Sequence, residues 1–296
     1  MKYFYGYQHK KNYFEGWYLK HQNTDFTFAC IPSYHIHKDG QQAISLQIVT
    51  PDKAYAVRYP AEVFYAYKDT FHVQIGSNIF SENFTTLHIN TPDLQLNGTL
   101  TYTNFTPPKF DIMGPFKNIP FMQCKHGISS MKHQVNGTLE LNGITYLFRQ
   151  AVGYIEKDRG KAFPTGYLWF QCNQFKRQFQ SSIMISIAQI PFGPIKFTGC
   201  ICSIRMNNKE YCLATYKGVK IETYSPKEII LKQGDYLLKI NILKDKPLPL
   251  NAPIEGKMGR TIDESLECTA AIYFQDKENI IINETTPFAS YEYCYM

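Results

Sequence analysis

Residues 137–148 read Gly137-Thr138-Leu139-Glu140-Leu141-Asn142-Gly143-Ile144-Thr145-Tyr146-Leu147-Phe148, two alternating apolar–polar runs joined at Asn142-Gly143. A period of two puts successive side chains on opposite faces, which is the pattern of a half-buried strand. Asn-Gly suits the two central positions of a type I′ turn, both of which need positive φ, so the stretch reads as a hairpin. Leu94 to Tyr102 alternates on both sides of Asn97-Gly98 and reads as a second hairpin. Glu210 to Thr223 and Glu228 to Leu243 read as two more, the latter turning at Gly234-Asp235. Periodicity of 3.6 is scarce. Asp263 to Glu267 would allow one helical turn, but Cys268 to Phe274 resumes a strand pattern. Thr106–Ile119 and Asp245–Gly259 are proline-rich and unsuited to central strands, because proline lacks the donor that a ladder requires. Short strands at regular spacing predict an all-β barrel or sandwich.

Composition agrees. The chain has 296 residues, 44% of them apolar and 19% charged, which suffices for a substantial core. Aromatic residues reach 15%, with 22 Tyr and 21 Phe. Such rings pack well on a pleated face, and Tyr adds a polar tip to an apolar body. The net charge of +6 is scattered and forms no basic stripe, so nucleic acid is not an expected partner. Eight cysteines contain no Cys-x-x-Cys pair and lie mostly in apolar strand-like runs, as reduced core thiols do. Met1 to His9 lacks the apolar core of a signal peptide, and the expected location is cytoplasmic. No apolar run approaches the ~18 residues of a membrane helix. The expectation is no integral membrane segment and at most transient membrane contact; no oligomeric state is predicted.

One phrase occurs twice in variant form. Phe14-Glu15-Gly16-Trp17-Tyr18-Leu19-Lys20 is echoed by Phe163-Pro164-Thr165-Gly166-Tyr167-Leu168-Trp169-Phe170-Gln171-Cys172-Asn173, and these hold the two tryptophans of the chain. Two similar halves, 1–150 and 151–296, are expected, with a ligand site inside or between them. Tyr154 to Gly160 is the densest charged cluster and reads as a loop. It is either solvated or aims Glu156 or Asp158 into an apolar cavity, where a desolvated carboxyl serves as a general acid. Glu15, between Phe14 and Gly16-Trp17, is a further acid candidate or half of a buried ion pair with Lys20 or Lys157. His35-x-His37 has metal-ligand spacing but no companion signature, and no metal is predicted. His126 and His133 are pocket candidates or ordinary satisfied side chains. Cys200 and Cys202 read as core packing. No Gly-rich phosphate loop and no Gly-x-Ser-x-Gly elbow occurs.

The phrases together resemble the tocopherol cyclase family. Phe14 to Lys20 is similar to its Phe-Glu-Gly-Trp-Tyr-x-Lys phrase. Glu156 to Pro164, with Trp169-Phe170-Gln171-Cys172-Asn173, resembles its second signature, and Pro249-Leu250-Asn251-Ala252-Pro253 a third. Arg159 stands where the family usually has Trp. The resemblance implies two lipocalin-like antiparallel β-barrel or half-barrel domains packed together, as in carotenoid hydratase-type proteins. It also implies acid-initiated ring closure on a prenylated phenol, an isomerase-type reaction that needs no cofactor. Glu156, Asp158 and Glu15 match motif positions of a type suited to the acid. The matching positions for the ligand are Trp17, Tyr18, Tyr154, Phe163, Trp169, Gln171 and Asn173, with His126 and His133 as further pocket residues.

Three functions stay open at this point. One is a proton-initiated cyclase or hydratase of an isoprenoid-like hydrophobic small molecule. The second is a non-catalytic carrier of such a ligand. The third is a barrel filled by its own side chains.

Overall fold

The computed structural model describes residues 3–119, 122–177, 180–192 and 195–294. Among these, strands dominate and no α-helix occurs. The first eleven strands are β1 (Tyr13–Gln22), β2 (Thr27–Ile36), β3 (Gln42–Val49), β4 (Ala54–Tyr59), β5 (Phe64–Ala66), β6 (His72–Ile75), β7 (Asn78–Ser81), β8 (Phe84–Asn90), β9 (Gln95–Thr103), β10 (Cys124–Leu141) and β11 (Ile144–Gly160). They form one sheet in the order 4-3-2-1-11-10-9-8-7-6-5. The remaining strands are β12 (Tyr167–Cys172), β13 (Ser181–Phe192), β14 (Ile195–Met206), β15 (Lys209–Ala214), β16 (Lys220–Tyr224), β17 (Glu228–Gln233), β18 (Tyr236–Lys244), β19 (Leu248–Ile254), β20 (Lys257–Asp276) and β21 (Asn279–Cys294). Their order is 15-14-13-12-21-20-18-17-16, with β19 attached to β20 alone.

The two orders superimpose. Strands 4-3-2-1-11-10-9-8-7 of the first sheet correspond one for one to 15-14-13-12-21-20-18-17-16 of the second. The chain is thus all-β and built as two antiparallel, open half-barrels of one topology. The phrase around Trp17 lies on β1 and its echo around Trp169 on the corresponding β12.

The compact units are not contiguous halves. Unit one comprises residues 1–107, 128–163 and 251–260, and unit two comprises 108–127, 164–250 and 261–296. Residue 150, where the sequence places a division, lies inside β11. Unit one has a core built on Trp17, Leu19, Phe28, Leu46, Phe80, Leu100, Val135 and Ile155. Unit two has its own on Leu168, Phe170, Ile185, Cys202, Ile240 and Phe274. Seven of the eight cysteines are buried and all are free thiols.

Asn142 and Gly143 take φ of 48° and 81°, the paired positive values of the turn predicted between β10 and β11. Gly234, at φ 55°, turns β17 into β18 as expected. Three other expectations fail. Asn97-Gly98 is no turn, since β9 runs straight through it. Gly98 faces Leu139 and Gly137 faces Leu100 across β9–β10. A Cβ on Gly98 would stand 2.1 Å from the Thr138 carbonyl oxygen, and one on Gly137 2.1 Å from that of Thr99. These glycines answer a close approach of two backbones rather than a reversal. Glu210 to Thr223 is no hairpin either. β15 and β16 stand at opposite ends of their sheet, joined by a 3-10 turn at Thr215–Lys217. The charged cluster Glu156 to Arg159 is a strand rather than a loop, because β1 pairs with it residue by residue. Of the proline-rich segments, Thr106–Ile119 holds only a 3-10 turn at Gly114–Asn118. Pro249 and Pro253 sit in β19, whose single neighbour relieves one side of any ladder requirement.

Candidate functional site

The pairing of β1 with β11 sorts the candidate residues onto two faces. Glu15 stands opposite Arg159, Trp17 opposite Lys157, and Leu19 opposite Ile155. Trp17, Leu19 and Ile155 belong to the core, so this is the inward face. Gly16 stands opposite Asp158, Tyr18 opposite Glu156, and Lys20 opposite Tyr154, on the outward face.

Glu15, fully buried, faces inward and is held on every side. Its carboxylate accepts the Tyr5 N–H at 2.9 Å and the Tyr13 hydroxyl at 2.8 Å. Its ion-pair partner is Lys157, at 2.5 Å. Of the two lysines that the sequence offered, parity selects Lys157, since Lys20 lies on the other face. Lys157 also donates to the Tyr3 carbonyl and sits 5.2 Å from the Trp17 ring centre. Burial pulls the Lys157 ammonium below its ordinary pKa, with Glu15 acting against that shift. Burial, followed by the Glu15 charge, pushes the Tyr13 phenol up. Arg159, where the family usually has Trp, lays its guanidinium 3.8 Å from the centre of the Tyr5 ring. The planar cation takes over the stacking part of the missing aromatic side chain.

The outward face carries the other two carboxylates. Glu156 is 5% exposed and accepts the Tyr154 hydroxyl at 2.6 Å. Tyr154 is itself fully buried; burial first, and then Glu156, pushes its phenol well above the usual range. The Asp158 carboxylate lies within 4.8 Å of that of Glu156. Tyr18, 7% exposed, stands directly across the strand pair. A buried acid, a second carboxylate and two aromatic rings therefore share one face. Such a set can deliver a proton and shield the charge that results.

His133 points instead into the core of unit one. Its ring stacks on Phe105 with centres 4.5 Å apart, and its Nδ1 meets the Ser130 hydroxyl at 3.1 Å. Nearby, His21 Nε2 meets the Tyr102 hydroxyl at 2.6 Å. Burial depresses both imidazoles, His21 to about 3, so they sit neutral in the core. His126 belongs to unit two and is half-buried near the start of β10. Phe163, half-buried, packs edge-on to Phe14 with centres 5.4 Å apart. The third family phrase is pinned by Gln47, whose amide donates to the Asn251 carbonyl at 2.9 Å and accepts the Asn251 N–H at 2.8 Å.

In unit two, Trp169 stands opposite Glu292, and Gln171 opposite Ser290. Gln171 is fully buried, and Asn173, just beyond β12, is 1% exposed. Leu168 and Phe170 face the core, so Trp169 and Gln171 face outward. The two tryptophans thus differ in orientation, Trp17 turned to its core and Trp169 away from it. Sequence reasoning missed Tyr167 and Glu292, whose phenol and carboxylate are 2.6 Å apart, and Glu264, which is fully buried. Carrying the repeat of the chain onward to its last strand would have found Glu292, the counterpart of Glu156.

Comparison with known proteins supports this architecture. A structure described as a putative AttH from Nitrosomonas europaea is 14% identical, with a TM-score of 0.56, 96% of this chain and 93% of that one covered. Kievitone hydratase from Nectria haematococca is 15% identical, with a TM-score of 0.51, covering 95% and 88% respectively. At such identities the likeness shows the fold. No curated protein matches the chain. Residues 93–293, more than half of the sequence, match the family model described as tocopherol cyclase-like, and the chain belongs to that family.

Proposed function

We propose that the protein binds an isoprenoid or prenylated phenol and catalyses proton-initiated cyclisation or hydration of an alkene in its tail. The observation that carries this reading is the outward face of β1 and β11. There the buried Glu156 lies beside Asp158 and between the Tyr154 and Tyr18 rings. Glu156 adds a proton to the less substituted alkene carbon, which leaves a tertiary cation on its neighbour. In cyclisation the phenol oxygen of the substrate captures that cation and gives up its own proton to the waiting carboxylates. In hydration a water molecule does the same. Either way the acid is regenerated. Aromatic faces stabilise the cation, and exclusion of bulk water decides between ring closure and hydration. The family and the hydratase of like fold support this class of chemistry.

The test is Glu156→Gln against a prenylated hydroquinone bearing a trisubstituted alkene. Loss of turnover with nearly unchanged affinity supports the acid role. Loss of affinity with turnover intact in the bound fraction sinks it.

The Glu15–Lys157 ion pair favours a second reading, a non-catalytic carrier, because it removes one candidate acid from chemistry. A carrier takes up the same ligand and returns it unaltered in both wild type and Glu156→Gln. Organic extraction and mass spectrometry of the purified protein, before and after incubation with the prenylated hydroquinone, separates the two.

A further inference from the structure

Strands β2, β3 and β4 carry a second feature, at a distance from Glu156. On the outward face, cross-strand pairing sets Asp158, Gly16, Ser33, Ser45 and Arg58 in one row across five strands. At ~4.8 Å per strand, Arg58 lies on the order of 19 Å from Asp158. The Arg58 end of this row opens into a cavity of about 800 Å³, walled by these strands and by residues 251–258 of the same unit. That volume falls in the range of small-molecule sites.

Its lining mixes apolar side chains such as Ile44, Pro60 and Met258 with polar and charged ones. His35, 1% exposed, lines it. The Nε2 of His35 meets the Ser33 hydroxyl at 3.0 Å and the Ser45 hydroxyl at 3.4 Å. Nδ1 of the same ring is buried and has no hydrogen-bond partner among the described residues. Leaving a buried polar atom so is unfavourable, and a ligand hydrogen bond would offset that penalty. Burial holds the ring neutral, with a pKa of about 3, so it offers one N–H and one lone pair. Gln47 is already spent on the Asn251 backbone, and so fixes the wall rather than the contents. Arg58 and Lys257 stand on the lining as exposed cations, and neither has an ion-pair partner among the described residues. Glu62 is the one carboxylate on the lining.

We infer that this cavity is a binding site for a small organic oxyanion, whose acidic group is taken by Arg58 and Lys257 and whose polar body reaches the buried His35. Arg58 supplies a planar fork that matches two oxygens of a carboxylate or phosphate, and Lys257 a mobile point charge. The site lies apart from Glu156 on the same face and stands independently of the proposed alkene chemistry.

Calorimetric titration of the whole protein with inorganic phosphate and with citrate, at matched ionic strength, tests it. Saturable binding of either probe, weakened at least tenfold in an Arg58→Ala, Lys257→Ala double variant, is the expected result. Binding of phosphate alone identifies a phosphorylated ligand, and binding of citrate alone a carboxylate. Both cations are exposed, so the double variant should fold, and unchanged thermal unfolding without probe verifies that. Ser45→Ala, which disturbs the His35 hydroxyl contacts, should weaken binding while leaving the cations in place. Absence of saturable binding by both probes, or equal affinity in the double variant, overturns the assignment.

Discussion

Glu156 and Glu292 hold equivalent places in the two units. Each lies on the last strand of its sheet in chain order, opposite an aromatic residue of the phrase-bearing strand, and each accepts a tyrosine hydroxyl at 2.6 Å. The phenol comes from a different strand each time. Tyr154 lies two residues before its glutamate on β11, whereas Tyr167 is on β12. The two units share the carboxylate and the hydrogen bond but not the donor's position. The prediction that follows concerns the better buried of the two.

Removing the Tyr154 hydroxyl should lower turnover without abolishing it. A hydrogen bond to a charged group is worth about 1.5–3 kcal/mol, so Tyr154→Phe is expected to cost roughly 10- to 100-fold in kcat. Glu156→Gln should cost more, on the order of 10²- to 10⁴-fold. Steady-state kinetics with the prenylated hydroquinone checks the order. An equal loss in both variants would argue that the phenol itself transfers the proton.

Glu15 and Lys157 should be inseparable in stability terms. Lys157→Met leaves a buried carboxylate without its cation and is expected to destabilise by about 3–5 kcal/mol. The double variant Glu15→Gln, Lys157→Met should recover part of this loss. Urea midpoints of the two single variants and the double one measure the coupling, and simple additivity would mean that the pair contributes nothing as a pair.

Acid should unfold the protein through its buried histidines. His21 and His35 have folded pKa values near 3, depressed by burial from an ordinary 6.5. The unfolded chain therefore binds more protons than the folded one between these limits. Their stabilising contribution is complete above pH 6.5 and is lost progressively as pH falls towards 3, by about 1.4 kcal/mol per pH unit for each. Unfolding free energies between pH 7 and pH 5 should show this slope, and His21→Phe should make it shallower. A slope unchanged in that variant would place the acid sensitivity elsewhere.

Gly98→Ala should be costly although it adds one methyl group. At φ 147° and with a carbonyl oxygen 2.1 Å from the new Cβ, β9 and β10 have to move apart. Backbone strain of this kind costs about 1–3 kcal/mol. Gly143→Ala, at the open hairpin turn, meets no atom within 4 Å and should cost less. Thermal unfolding of the two variants compares them, and equal losses would contradict the close-approach reading.

These residues also show what could be read in the sequence. Strand class followed from period-two alternation, and Asn142-Gly143 marked a true turn because no partner strand crowds its glycine. Asn97-Gly98 carried the same letters for another reason: its glycine serves a partner residue, Leu139, that lies 41 positions away along the chain, which local pattern cannot reveal. The candidate acids were legible as residues but not as faces. The pairing register alone separates Glu15 from Glu156 and turns Trp17 and Trp169 in opposite senses. Arg159 stands where the family usually has Trp, and only its position over Tyr5 shows the stacking that replaces it. Glu292 stayed hidden because no phrase marks it; its equivalence to Glu156 appears only when the strand orders are compared.

The distribution of unit one over three stretches of chain governs the order in which the protein can assemble. β1 leaves the ribosome early, yet its partner β11 is synthesised more than a hundred residues later, and Asn251 follows Gln47 by 204 residues. All eleven strands of the first sheet have been made once residue 160 is synthesised, so the sheet and its core can form before the second unit is complete. Only the Gln47–Asn251 clasp must wait until most of the second unit has been made. A fragment ending at residue 150 lacks both its central pairing and its final clasp.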